Sequence, residues 1–547
     1  MKPSPTSIQA RELDLNRPLP EGEGLDAVIK SATPSPSGRG RIDLGNLFRI
    51  SWVRAIWGLI FLIFTALCAS SNAATLTNVR YASYPDRVRL VFDFSGQAYY
   101  WVASSESALT IALVSCEVSQ NIKDKLDIND WVIGDIGLDS SGDDITVNIP
   151  LRYPISYNIF PLGAPSRLVV DFGRIFTKTE AGGRITDAIE YKRVVSGGED
   201  GFISAQILKV DPEKADIFPA LAQPRTSILG SIVDFLTPWV KKVSKHFYRE
   251  KVSEIAAQAG AAAAVNGTYF SGSGNPLGVL MMNGDAVSYP ISDRTALILT
   301  DDGKSYIDNI IMDSYFEYRG AKYEINGINE PRDQAKDIIL YTRHYGELTE
   351  TDRTGFEITV VGGKATDIRM GNSRIPENGY VLSMGSLYAE TLSPAIKVGD
   401  EIKTVINLIP YSASITGKAL HLIGGGPRLI KGGQIYISKH EEKFRPDVAK
   451  GRAARTAVGI TSDNKLIFVT VDGRPRRKIK KDEGFSMGMS LTELAYFLQS
   501  AGAVEALNLD GGGSTTMVIN GCVINRPANG YEQSVSNAII IKPRNTF

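Results

Sequence analysis

The run Val504-Glu505-Ala506-Leu507-Asn508-Leu509 empties into Asp510-Gly511-Gly512-Gly513-Ser514-Thr515-Thr516. Three consecutive glycines sustain neither a helix nor a strand, because glycine loses more backbone freedom on ordering than any other residue. The chain must therefore turn sharply at Asp510, and a carboxylate beside so costly a turn points to chemistry. The glycines allow N–H groups around Gly512 and Gly513 to face inward as an anion nest, with the hydroxyls of Ser514 and Thr515 beside it. The lysine of a nucleotide-binding P-loop is missing. A second triplet, Gly424-Gly425-Gly426, follows His421 and brings the guanidinium of Arg428 after Pro427.

Two further segments carry candidate site residues. Residues 252–264 read as a helix passing through Gly260, and the chain then enters Asn266-Gly267-Thr268-Tyr269-Phe270, an amide and two aromatics at a strand end. Asn-Gly is equally a turn signal. In the second segment, two apolar runs flank Ser462-Asp463-Asn464-Lys465, and a two-residue turn at Asp463-Asn464 predicts a hairpin. That register sets Val458 against Val469, Ile460 against Ile467, and Arg455 against Asp472, either as a catalytic couple or as an ordinary cross-strand ion pair. Ser490-Leu491-Thr492-Glu493 fits a capping box, which accounts for Glu493 without catalysis.

Composition narrows the class. With 60 basic and 60 acidic side chains, the 547-residue chain lacks the positive excess of a nucleic-acid binder. Three cysteines and four histidines without paired spacing argue against a disulfide scaffold and a structural zinc site. Cys116 and Cys522 could bridge in an oxidising compartment or stand as two buried thiols. No G-x-S-x-G, H-E-x-x-H or G-x-G-x-x-G motif is present. Neither a cofactor nor a metal is called for; Ca²⁺ stays open, since carboxylates could hold it, although no EF-hand loop is visible.

Residues 1–54, rich in Pro, Ser and mixed charge, read as a disordered leader. Arginines then precede an uncharged apolar run, and Ser71-Asn72-Ala73 supplies small residues behind it. Residues 55–73 thus read as an export signal or an uncleaved membrane anchor, and both place the remainder outside the cytoplasm, in the periplasm or envelope. Residues 75–176 alternate with period two, as in Arg87-Val88-Arg89-Leu90-Val91-Phe92-Asp93-Phe94, and predict a small all-β sandwich. A glycine-containing linker over 177–195 leads to residues 196–547, an α+β or α/β mixed-sheet domain with a basic amphipathic segment at 227–249. The whole is a multidomain chain.

The segments ending Asp93-Phe94 and Asp171-Phe172 resemble the AMIN domain, a cell-envelope targeting module, which implies polysaccharide binding there. The second region resembles the phosphodiester glycosidase family through Asn266-Gly267-x-Tyr269-Phe270, Pro276-x-Gly278, Arg294, Gly424-Gly425-Gly426-Pro427, Arg455-Thr456-Ala457-Val458-Gly459 and Asp472-Gly473-Arg474. The similarity continues through Ser490-x-x-Glu493-Leu494, the stretch from Leu507 to Thr515, Asn525-x-Pro527 and Val535-Ser536-Asn537-Ala538. The resemblance implies hydrolysis of a bond between a sugar anomeric carbon and a phosphodiester, on an envelope or exopolysaccharide glycan. Such a reaction needs a carboxylate for the oxocarbenium-like transition state and positive charge for the leaving phosphate. On that reading Asp510 or Asp472 is nucleophile or base, Arg455 and Arg428 hold phosphate, the loop from Gly512 to Thr515 takes oxygens, and Asn266 and Asn537 bind the sugar. The competing readings are a glycosidase or lyase in which Arg455 meets a uronate, and a glycan-binding protein without turnover.

Overall fold

The computed structural model describes residues 73–128, 130–198, 201–223, 247–412, 415–474 and 486–544. The leader, the apolar run and nearly all of segment 227–249 lie outside them. Among the described residues no helix is long and apolar enough to cross a membrane.

Period-two alternation builds the first part. Strand Arg87–Phe94 buries Val88, Leu90, Phe92 and Phe94 and turns its charged residues outward. It pairs antiparallel with Arg167–Gly173, and Arg89 grips Asp171 with two hydrogen bonds of 2.6 Å. These strands belong to one of two five-stranded sheets that close over a shared apolar core including Phe92, Ile111, Val147 and Phe172. The result is a sandwich.

Residues 177–195, expected as a linker, are instead strands. Phe176–Thr186 and Ile189–Gly198 form a long hairpin that opens an eight-stranded sheet. From that edge the order continues Gly201–Val210, Leu466–Val471, Arg455–Thr461, Ala503–Asn508, Arg428–Lys431 and Gln434–Ile435. The rings of Trp131, Tyr153, Phe176 and Phe202 cluster where the hairpin meets the sandwich, with centroids 4.9–6.3 Å apart. Beside them Arg174 and Asp130 form an ion pair of 2.5 Å with side chains only 5% and 2% exposed.

A five-stranded sheet contributes Ala215–Leu221, Asn537–Pro543, Ala263–Asn266, Met517–Ile519 and Cys522–Val523. A six-stranded sheet includes Thr295–Thr300 and Ala419–Gly424. One apolar core, with Leu208, Val265, Leu297, Val458, Phe468, Leu507 and Ile539, joins these two to the eight-stranded sheet. Between them, residues 315–405 fold into two small sheets around their own core of Phe316, Phe356, Ile358 and Leu382.

The α/β expectation is corrected. Among the described residues strands dominate, helices are few, and pairing is antiparallel except for Ala74–Ser83 with Cys116–Val118 and Gly327–Ile328 with Ile338–Tyr341. Helix Val252–Ala259 stops short of the expected end because Gly260 adopts a left-handed cap, φ 63°. Helix Leu491–Ser500 begins in a complete capping box, with Ser490 and Glu493 bonded reciprocally, and Glu493 also ion-pairs with Arg452. Neither Cys116, which is buried, nor Cys522, which is exposed rather than buried, is bridged.

The hairpin register differs from the expected one by a single position. Asn464 takes a left-handed conformation, φ 60°, and the Thr461 N–H donates to the Lys465 carbonyl across a three-residue loop rather than two. Val458 therefore faces Phe468, Ile460 faces Leu466, and Arg455 faces Val471 instead of Asp472.

Breaking the buried Arg174–Asp130 pair leaves a charge without a partner, so Asp130→Ala is expected to cost about 3–5 kcal/mol in chemical denaturation. A loss under 1 kcal/mol would show that the junction does not depend on it.

Candidate active site

Three strand ends meet at Asn266. This side chain is fully buried; its Oδ1 accepts from the Thr456 hydroxyl at 2.7 Å and from the Thr516 N–H at 3.1 Å. Its Nδ2 donates to the Asp510 carbonyl at 2.7 Å. The amide is thus committed to holding the backbone of Asp510, not presented to a sugar. Asn537 is corrected likewise. It is 1% exposed, its Oδ1 accepts from the Thr268 N–H at 3.0 Å, and its Nδ2 donates to the Thr268 hydroxyl at 2.7 Å. Gly267 is required here, since a Cβ would come within 2.0 Å of Asn537 Oδ1.

From this platform Tyr269 enters the site. Its hydroxyl donates to the Gly426 carbonyl at 2.9 Å and accepts from Asn508 Nδ2 at 2.8 Å. Burial, reinforced by the nearby Asp510 carboxylate and opposed by Arg455, Asn508 and Arg294, pushes the phenol well above its ordinary range. It stays neutral at working pH. Asp510 and the two guanidiniums therefore all lie within electrostatic reach of one hydroxyl. Asp510 itself is half-buried, and its Oδ1 accepts from the Gly511 N–H at 2.9 Å.

Most of the N–H groups expected to form an anion nest are engaged within the protein. The Gly511 N–H is spent on Asp510, Gly512 N–H donates to the Ala454 carbonyl at 2.8 Å, and Ser514 and Thr515 donate back to Gly511 and Gly512. Gly512 takes φ 61° to make this short 3₁₀ turn. Gly513 is packed so closely that a Cβ would meet Gln533 Oε1 at 2.2 Å. Ser514 and Thr515 are buried, and the Thr515 hydroxyl has no partner among the described residues.

Each predicted arginine lies elsewhere than expected in electrostatic terms. Arg428 pairs with Glu505 at 2.6 Å and lies 3.8 Å from Asp308, so its charge is already balanced. Arg455 is 3% exposed, and its Nε, Nη1 and Nη2 donate to the carbonyls of Met489, Val448 and Gly451 at 3.0, 2.9 and 3.1 Å. Burial lowers its pKa, Tyr269 raises it, and no carboxylate among the described residues ion-pairs with it. Asp472 is not beside it. Asp472 is 5% exposed, accepts from the Arg526 N–H at 2.9 Å and from Gln206 Nε2 at 3.2 Å, and has its carboxyl pushed above the usual range by burial. That arrangement stitches strands together.

Several residues had no role read from the sequence. Tyr269 and Arg294 stood in motifs without an assigned task. Glu442 and Phe444 lie in a charged loop with no signature, and only Asn508, an amide inside an apolar strand, signalled a buried partner. Glu442 is 2% exposed and accepts from Thr295 N–H, the Thr295 and Ser438 hydroxyls, and Arg428 N–H. Among the described residues no group of three or more His, Cys, Asp or Glu is arranged to hold a metal ion.

Asn266→Ala would strand the Asp510 carbonyl, the Thr456 hydroxyl and the Thr516 N–H. It should lower stability by about 1–3 kcal/mol for each group left unpaired, read by thermal unfolding. An unchanged midpoint would refute the platform role.

Residues 354–542 match the family model for phosphodiester glycosidases. The N-acetylglucosamine-1-phosphodiester alpha-N-acetylglucosaminidase of Bos taurus is 34% identical over 119 residues, 20% of this chain and 21% of that enzyme. The chain thus spans about a fifth of the length of the curated relatives it matches. A hypothetical protein from Synechocystis superposes with a TM-score of 0.52 at 22% identity, covering 87% of this chain and 81% of that one. A candidate exported protein of Burkholderia pseudomallei K96243 gives 0.51 at 18% identity, covering 82% and 97%. Both share the fold. The residues 354–542 that match the phosphodiester glycosidase model carry Glu442, Arg455 and Asp510.

Proposed function

We propose that this chain hydrolyses the bond between a sugar anomeric carbon and a phosphodiester. The observation that carries the reading is the half-buried carboxylate of Asp510, its carbonyl held by Asn266, within electrostatic reach of the buried Tyr269 hydroxyl that Arg455 and Arg294 also influence. The family's relatives named for N-acetylglucosamine-1-phosphodiester cleavage support the same chemistry.

In the reaction the bond between C1 and the phosphate oxygen breaks as positive charge grows on the sugar ring. Asp510 stabilises that charge, either by attacking C1 to form a glycosyl ester that water then hydrolyses, or by taking the proton of a water whose oxygen bonds to C1. The electron pair of the broken bond leaves on the phosphate, whose second pKa near 6 lets it depart without a strong general acid. A single reachable carboxylate therefore suffices, which suits a site where Asp472 is buried and fully engaged. Tyr269, a hydrogen-bonded neutral phenol, shapes the floor between acid and cation.

The substrate is read as an envelope or exopolysaccharide glycan, encountered outside the cytoplasm. The apolar run at 55–67 and the likeness to a candidate exported protein support that location. The sandwich is read as an AMIN-like module that holds polysaccharide.

Asp510→Asn is expected to reduce turnover of a sugar-1-phosphodiester by about 10²–10⁴-fold while the protein stays folded. Release of the phosphate monoester, followed by chromatography, reports the rate. Full activity in the folded variant would end the assignment.

A further inference from the structure

The three guanidiniums near the site differ in what remains for a ligand. Arg428 is balanced by Glu505 and Asp308, and Arg455 spends Nε and both terminal nitrogens on carbonyls. Arg294 spends one N–H. Its Nε donates to the Glu442 carbonyl at 3.2 Å, its Cζ lies 4.0 Å from the Phe444 ring centroid, and it is half-buried. Among the described residues no carboxylate lies within ion-pair distance of it. The nearby Glu442 carboxylate is already consumed by four donors.

A guanidinium laid on a ring has its face covered and its in-plane N–H groups left at the edge, the geometry that meets phosphate through two parallel bonds. The position also suits the reacting centre. The Phe444 ring stands 5.7 Å from the Tyr269 ring, and the Tyr269 hydroxyl is the group on which Asp510 and Arg294 both act. Arg445, exposed and next in the chain after Phe444, adds a second positive charge near Arg294.

Building on the proposed reaction, we propose that Arg294, seated on Phe444, is the group that binds the phosphodiester oxygens and gives the site its preference for a charged leaving group. Arg455, by contrast, supplies fixed background charge. The sugar lies on the Asp510 side of Tyr269 and the phosphate on the Phe444 side.

The test measures binding and turnover separately on the full chain. Calorimetry with methyl phosphate as the probe should show affinity falling at least 10-fold in Arg294→Gln and partly restored in Arg294→Lys, which keeps a point charge but loses the fork. Phe444→Leu should weaken binding by several-fold without removing a charge, which keeps the idea testable if Arg294→Gln folds poorly. With a sugar-1-phosphomethyl diester, Arg294→Gln should raise KM and lower kcat/KM by a larger factor than it lowers any rate on the matching neutral methyl glycoside. Unchanged methyl phosphate affinity in Arg294→Gln, or no binding by the unmodified protein, overturns the assignment. Normal binding that depends on Arg294 without phosphodiester turnover sinks the reaction but upholds the anion site. Turnover with an unaltered KM in Arg294→Gln does the reverse.

Discussion

The site rests on the Asn266 carboxamide. Three chain segments, ending near Asn266, Thr456 and Asp510, belong to two different sheets, and a buried amide with three partners is what holds their ends together. A buried polar group of this kind is stable only when satisfied, so each bond constrains the other two. Displacing any one strand would leave an orphaned donor or acceptor at the position of Asp510. The backbone of the carboxylate is thereby placed by core chemistry, and the glycine turn that follows merely redirects the chain.

Charge is distributed unevenly around that platform. Arg428 is neutralised by acids, Arg455 is solvated by three carbonyl dipoles, and Arg294 rests on a ring. These are three ways of keeping a guanidinium out of water, and they leave different residual capacity for an anion. Carbonyl dipoles satisfy the hydrogen bonds of Arg455 but not its net charge, so its field still reaches Tyr269. Against this background the neutral phenol feels the field of Asp510 from one sign and of Arg455 and Arg294 from the other.

What the sequence revealed follows locality. The capping box at Ser490 and Glu493 and the alternation of Arg87–Phe94 depend on neighbours within one element, and their structures follow the pattern. The hairpin failed by one residue because Asn464 tolerates a left-handed backbone equally well in a two- or three-residue loop. That single step removed Asp472 from Arg455. The hairpin after residue 176 read as a linker because its glycines mask two strands whose partners lie far along the chain. The glycine loop looked like an anion nest since nothing local tells an inward N–H from one spent on Ala454 or on Asp510 itself. Glu442 and Phe444 had no local signature at all; only the fold brings them to Arg294 and Tyr269.

The strand pair Phe176–Thr186 and Ile189–Gly198 carries a mechanical consequence. A flexible tether would let the sandwich tumble independently, and a polymer caught on it would sample the cleft at an effective concentration set by linker length. A stiff ribbon, ring-packed at one end and hydrogen-bonded into the central sheet at the other, instead fixes a lever of set length and direction. On the proposed function, in which the sandwich holds a glycan and Asp510 cuts it, the polymer would be presented at one repeating offset along its backbone, so spacing between cleavable linkages, and not only their chemistry, would decide which polymers are cut.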